Sequence, residues 1–246
     1  MDTNKSNILG VNIVKTSLLS AVDKIGEYLK EEGNHIVCTP NSEMIMLAKK
    51  DTQLKEVLNE ANLTVADGAG VVIASKILGE PVPERVAGFD LVSMMFNSNS
   101  FKDVGFFLLG AHEDVVNKAA TNLKADYNIK ISGTHHGFFN EEASDEIISI
   151  INNSGAQILL VGLGAPKQEK WILKNKSKLK VKVSIGIGGC FDVFSGNVKR
   201  APEFFQVNHL EWLYRLYCEP SRFVRMLALP QFMAHVIYER FNPKKD

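Results

Sequence analysis

Apolar residues arrive in short runs that stop at small or turn-forming residues. Between the runs, apolar side chains return every three or four positions. The runs His35–Cys38, Leu63–Ala66, Val104–Leu109, Gln157–Val161 and Val181–Ile187, with a shorter one at Lys130–Ser132, have the length and boundaries of buried strands. The periodic stretches predict helices over Glu43–Lys50, Asp51–Glu60, Val71–Leu78, Glu113–Ala125, Glu141–Asn152 and Gln168–Lys174. Thr39 reads as the N-cap of the first of these, with Pro40 at the opening helical position. Strands alternating with helices imply an α/β fold: a Rossmann-like, largely parallel sheet flanked by helices.

The pattern changes after Asn197. Pro202–Tyr217 is rich in aromatics, and Glu219-Pro220 closes it as a helix. Ser221–Leu229 reads as a short helix stopped by Pro230, and Gln231–Phe241 as a last amphipathic segment. This predicts an α/β core over 1–196 and a C-terminal helical appendage over 197–246. Two readings of the appendage stand open: docking on an anionic bilayer, or a helix pair packed on the sheet or in a homo-oligomer interface.

In such sheets ligands bind outside the carboxyl ends of the strands. Gly110, Gly162 with Gly164, and Gly188 with Gly189 all fall at those ends. The segment Val161-Gly-Leu-Gly-Ala-Pro-Lys-Gln-Glu-Lys-Trp171 breaks a strand at two glycines and restarts as a helix at a proline. Free amides and the helix dipole there favour an anion, with Lys167 and Gln168 in reach. One such turn is common in α/β proteins; three on one rim point to a nucleotide diphosphate.

Asp67 follows a strand and precedes glycines, which is a place for a catalytic carboxylate and also an ordinary Asp-Gly turn. Arg85, in the proline-stiffened Pro81–Gly88 loop, reads as a preorganised phosphate ligand or a solvated loop charge. Arg215, Arg222 and Arg225 suit a diphosphate or a lipid headgroup, or else a solvated face. His135 and His136 are adjacent, so their side chains are expected to diverge, and neither is assigned a metal. Phe138 and Phe139 read most simply as core residues.

Composition narrows the classes. The 246 residues are 45% apolar, and 28 basic residues balance 28 acidic ones, unlike a generic nucleic-acid binder. From Asn197 onward eight basic residues face five acidic ones, a local +3, so the first 196 residues carry −3. Cys38, Cys190 and Cys218 are dispersed, as expected of reduced thiols serving as small core residues in the cytosol. No secretory signal and no apolar stretch near ~18 residues stands out, so a soluble or peripheral protein is expected. No Asp-x-Asp occurs, so a departing diphosphate would rely on arginines and backbone amides rather than a metal.

Several blocks together resemble the TagA/WecG/CpsF family of bacterial glycosyltransferases, from about Ile8 to Pro230. They are Thr39-Pro-Asn-Ser-Glu43, Ala66-Asp-Gly-Ala-Gly70, Pro83-Glu-Arg-Val-Ala-Gly88, Gly133-Thr-His-His-Gly137, Gly164–Trp171, Gly188-Gly189 with Phe191-Asp-Val193, Lys199-Arg-Ala-Pro202, and Glu211-Trp-Leu-Tyr-Arg215 with Glu219-Pro220 and Arg222. The resemblance implies metal-independent, inverting transfer of an N-acetylmannosamine-type sugar from UDP to undecaprenyl-diphosphate-linked N-acetylglucosamine, for the linkage unit of wall teichoic acid. It implies no cofactor, and a peripheral place on the cytoplasmic face of the membrane. It makes Asp67 the general base with Thr39 and Asn41 beside it, and sets Arg85 and Gln168 along the donor and acceptor pocket. Phe138 falls where relatives commonly carry a tyrosine near uracil, so stacking survives without the hydroxyl. Asp192 is implied at the base or ribose. Arg215, Arg222 and Arg225 match appendage arginines that complete the active site. The family also holds members using other UDP-sugars. Outside it, a nicotinamide or flavin oxidoreductase would need the dinucleotide fingerprint and its distal acidic residue, which are missing; a non-enzymatic nucleotide- or lipid-binding module remains the third class.

Overall fold

The chain opens with an antiparallel hairpin, β1 (Lys5–Ile8) and β2 (Val11–Val14), turned through Leu9 and Gly10 at positive φ. Helix α1 (Leu18–Tyr28) follows, with Ser17 as its N-cap. The apolar pattern predicts neither element; in β1 one of the two buried positions is the polar Ser6, which hides the alternation. The structure, a computed structural model, describes residues 4–208, 210–218, 220 and 223–242, apart from the side chains of residues 215, 224 and 225.

The other strands are β3 (His35–Cys38), β4 (Leu63–Thr64), β5 (Gly105–Gly110), β6 (Lys130–His135), β7 (Ile158–Gly162) and β8 (Val183–Gly186). They form one six-stranded sheet in the order β4-β3-β8-β7-β5-β6, with every pair parallel. Residues alternate between its faces. On β5, Phe106 and Leu108 pack with α1, α5 (Gly88–Asn97), α6 (Glu113–Tyr127) and α9 (Cys190–Phe194). Phe107 and Leu109 face α2 (Ser42–Ala48), α3 (Thr52–Glu60), α4 (Ala69–Leu78), α7 (Ser144–Asn153) and α8 (Lys167–Asn175), together with the hairpin. The result is a three-layer α/β/α body.

Local chemistry moves several boundaries. Asn41, not Thr39, caps α2: its side chain accepts from the Met44 amide, which leaves Thr39 outside the helix. Asp51 caps a separate α3 by accepting from Leu54. The stretch 202–217 forms two helices, α10 (Glu203–Val207) and α11 (Glu211–Cys218), and α12 is short (Phe223–Met226). Pro230 stops nothing. It lies in the first turn of α13 (Ala228–Phe241), where its missing amide hydrogen has no intrahelical partner to lose.

Helix α13 returns to the body. Phe232 and Val236 are fully buried against α2 and α4 and belong to the same apolar cluster as the sheet. The segment from α10 to α12 behaves differently and leaves Phe204, Trp212, Leu213, Tyr217 and Phe223 exposed. Cys38 and Cys190 are core residues as expected, whereas Cys218 is exposed on α11. Burial pushes the Cys38 thiol up, well above its ordinary value.

Phe232→Ala removes a fully buried ring from the layer that holds the hairpin, α4 and α13. It should lower unfolding free energy by about 3–5 kcal/mol in a denaturant titration.

Candidate active site

Because the sheet is parallel, all six strands present their carboxyl ends on one rim. Thr39 follows β3, and Asp67 follows β4 after a short extension. The Asp67 amide donates to the Pro40 carbonyl (3.1 Å), and the Val86 amide donates to Ala66 (2.8 Å), which draws the 81–88 loop onto the same edge. There the Gly88 amide lies 3.5 Å from Asp67 Oδ2, and Thr39 Oγ1 lies 3.5 Å from the Gly186 carbonyl. Thr39, Asp67 and Arg85 are thus brought together, each half-buried. Asn41 is next to them, but its side-chain oxygen is engaged as the α2 cap.

Arg85 is not a solvated loop charge. Its guanidinium donates to Glu211 of α11 and to Asp90 of α5 (3.1 Å). Burial opposes its charge, but attraction to Glu211, Asp67 and Asp90 outweighs that and raises its pKa above the ordinary value.

A second region opens beyond the ends of β5, β6 and β7. A cleft of about 590 Å³ is lined by Ala111, Phe138, Asn140, Gly162, Leu163 and Lys167, among others; ligand pockets span ~300–1,000 Å³. Gly110 has φ +145° and touches Gly162 so closely that a Cβ would collide with that residue's carbonyl. Phe138 is not a core residue: it is 63% exposed and stacked on His112, with ring centroids 4.1 Å apart. Phe139 packs against the core. Lys167 holds its ammonium 5.2 Å from the centre of the Phe139 ring and 3.5 Å from the Gly137 carbonyl. The rings of His135 and His136 stay close, 4.5 Å apart, rather than diverging. Among the described residues no group of three or more His, Cys, Asp or Glu could hold a metal ion.

Between the two regions stands the end of β8. Gln168, in the first turn of α8, is 3% exposed, and its carboxamide is engaged at both ends. Its Oε1 accepts from the Gly188 amide (3.1 Å), and its Nε2 donates to Glu169 Oε1 (2.6 Å). The Gly188 nitrogen that faces Gln168 can only donate, so the amide's orientation is fixed. Gly186 makes room for this pair: a Cβ there would stand 2.7 Å from Gln168 Nε2 and 2.9 Å from Glu169 Oε1. Gln168 therefore braces the β8 turn from beneath. Pro166 precedes α8 rather than starting it, and Gly164 accepts from the Gln168 amide (2.9 Å). Asp192, on α9, turns towards Gly189.

Glu169 is the residue that sequence reasoning passed over. It is 1% exposed, and its Oε2 has no hydrogen-bond partner among the described residues. Burial raises its pKa, and the hydrogen bond from Gln168 only partly offsets this. Asp90 and Glu211 were also missed as partners of Arg85, and Arg200 as a partner of both carboxylates; the pairs that join Glu211 to Arg85 and Arg200 to Asp90 span 126 and 110 residues and leave no local pattern. Of the appendage arginines, Arg215 is on α11 and Arg225 on α12; their side chains, and the whole of Arg222, lie outside the described residues.

Residues 6–246 match the model of the glycosyl transferase WecG/TagA/CpsF family. The chain belongs to this family. It is a glycosyltransferase, and the rim just described is its candidate active site. It is 36% identical to an N-acetylglucosaminyldiphosphoundecaprenol N-acetyl-beta-D-mannosaminyltransferase of Bacillus spizizenii, over 99% of this chain and 95% of that protein. Proteins of the same name from Bacillus subtilis (35%; 97% and 92%) and Staphylococcus aureus (32%; 99% and 96%) are also similar over nearly full length. No helix among the described residues is long and apolar enough to cross a membrane.

The buried carboxyl of Glu169 makes stability depend on pH. Its folded pKa is raised, so the folded state holds the proton longer than the unfolded state. Stability from this group is therefore full at acid pH and falls as pH rises from the unfolded value towards the folded one. Glu169→Gln preserves the acceptor for Gln168 and removes the titration. Denaturation curves between pH 4 and 8 should show the variant gaining on the parent as pH rises; a constant difference would contradict a raised pKa.

Proposed function

We propose that this glycosyltransferase moves N-acetylmannosamine from UDP to O4 of undecaprenyl-diphosphate-linked N-acetylglucosamine, with inversion and without a metal or cofactor, in making the wall teichoic acid linkage unit. The names of the full-length relatives support the transferred sugar and the acceptor. The observation that carries the mechanism is the meeting of Asp67, Thr39 and Arg85 on the same rim as the open cleft.

In this reading UDP enters the cleft with uracil against Phe138 and Asp192 at the base or ribose. Its diphosphate runs along the glycine turns and Lys167, towards Thr39, Arg85 and the arginines Arg215, Arg222 and Arg225. Asp67 takes the proton of the acceptor hydroxyl. The freed oxygen attacks the anomeric carbon on the face opposite UDP and forms the new C–O bond. The bond to the β-phosphate oxygen breaks, and UDP leaves with the electron pair. Guanidinium groups and amides hold the growing charge.

The exposed aromatics between α10 and α12, with the basic excess of the tail, suit docking on the anionic cytoplasmic leaflet, where the lipid acceptor resides.

Asp67→Asn should cut transfer by about 10²–10⁴-fold while UDP affinity, read by calorimetry, stays near that of the parent. Retained turnover would remove Asp67 as the base. A panel of UDP-sugars against one lipid-linked acceptor, with and without EDTA, tests donor and metal independence; preference for another sugar would move the chain to a different branch of the family. Replacing Tyr217 and Phe223 together by Ser should weaken sedimentation with anionic vesicles, and unchanged binding would end the docking role of this face.

A further inference from the structure

Four charged side chains form a closed square across the boundary between core and appendage. Arg85 pairs with Glu211 and with Asp90 (3.1 Å), and Arg200 pairs with Asp90 (2.5 Å) and reaches Glu211 (3.6 Å). Each carboxylate thus sits between both guanidiniums. Two corners, Arg85 and Asp90, come from the 81–88 loop and α5; the other two, Arg200 and Glu211, come from the start of the appendage. Arg200 also lies over the Phe89 ring, 4.6 Å from its centre, where the ring face attracts its charge. Side-chain exposures of 14–30% keep the square partly shielded from water.

Arg85 is the corner next to Asp67, and attraction to that carboxylate is part of its environment. Its two terminal nitrogens are directed to Glu211 and Asp90.

We propose that Asp90 and Arg200 are positioning residues for sugar transfer: with Glu211 they hold the Arg85 guanidinium in place beside Asp67, so that the appendage and the catalytic loop act as one electrostatic unit. This rests on the transferase reading above. Asp90 and Arg200 touch no reacting atom; they act through Arg85. Arginine suits position 200 because its planar fork of donors reaches two carboxylates while the group lies over Phe89, and an ammonium, a compact point charge, matches that geometry less well.

The test is steady-state transfer by Asp90→Asn, Arg200→Gln, Arg200→Lys and the Asp90→Asn/Arg200→Gln pair, together with hydrogen exchange over α10 and α11. Each single removal should lower kcat by about ten- to a hundredfold, with KM for the UDP-sugar unchanged. The pair should be no worse than the poorer single variant, since both break the same clamp. Arg200→Lys should recover only part of the loss. Additive losses, or a loss that simply follows the thermal midpoint, would overturn the proposal. Exchange separates its failure from failure of the transferase reading. If the parent transfers no sugar, that reading falls, and the square is judged by exchange alone. Faster exchange in α10 and α11 after Asp90→Asn, a change confined to the core, supports the joint, and unchanged exchange overturns it.

Discussion

Parallel pairing is the constraint from which the rest follows. Six strands running one way deliver six chain exits to a single rim, and their order decides which exits are neighbours. Asp67 and Thr39 emerge from β4 and β3 on one side, and the cleft opens over β7, β5 and β6 on the other. From β3 to β5 there are three strand spacings, about 14 Å. Asp67 with Thr39 at one end and the cleft at the other are therefore held apart by backbone hydrogen bonds. Flexible side chains need only refine a distance that the sheet already sets.

The exit of β8 lies between these two halves, and a buried amide supports it. Gln168 links the Gly188 turn to Glu169, and the buried Glu169 has an oxygen with no hydrogen-bond partner among the described residues. A carboxyl in such a place favours its neutral form. The arrangement keeps a polar strut inside the core at some cost in stability, and in return the orientation of the strut is unambiguous.

The sheet was legible in the sequence because buried parallel strands are short apolar runs with sharp ends, as in Gly105–Gly110 and Ile158–Gly162. The glycine rim followed from the same runs. The N-terminal hairpin was not legible: Ser6 occupies a core position, and four-residue strands carry too little pattern. The α2 cap was misplaced by two residues because Thr39 and Asn41 are both good caps, and only geometry chooses between them. At the site, Asp67 and Arg85 could be nominated from position and residue type. Their setting could not, since Glu211 is 126 residues from Arg85 and Arg200 is 110 from Asp90. Phe138 was drawn two ways, into the core by its hydrophobicity and to the nucleotide by resemblance; its exposure beside His112 removes the first.

Helix α13 has a consequence for how the protein is made. Phe232 and Val236 complete an apolar layer whose other members begin at Ile8. That layer stays open on the ribosome until residues 228–241 have emerged, however early the strands pair. Chains fold as they are synthesised, from the N-terminus onward, at about 5–20 residues per second. For much of its synthesis, then, the nascent chain presents an uncovered apolar face beside α2 and α4.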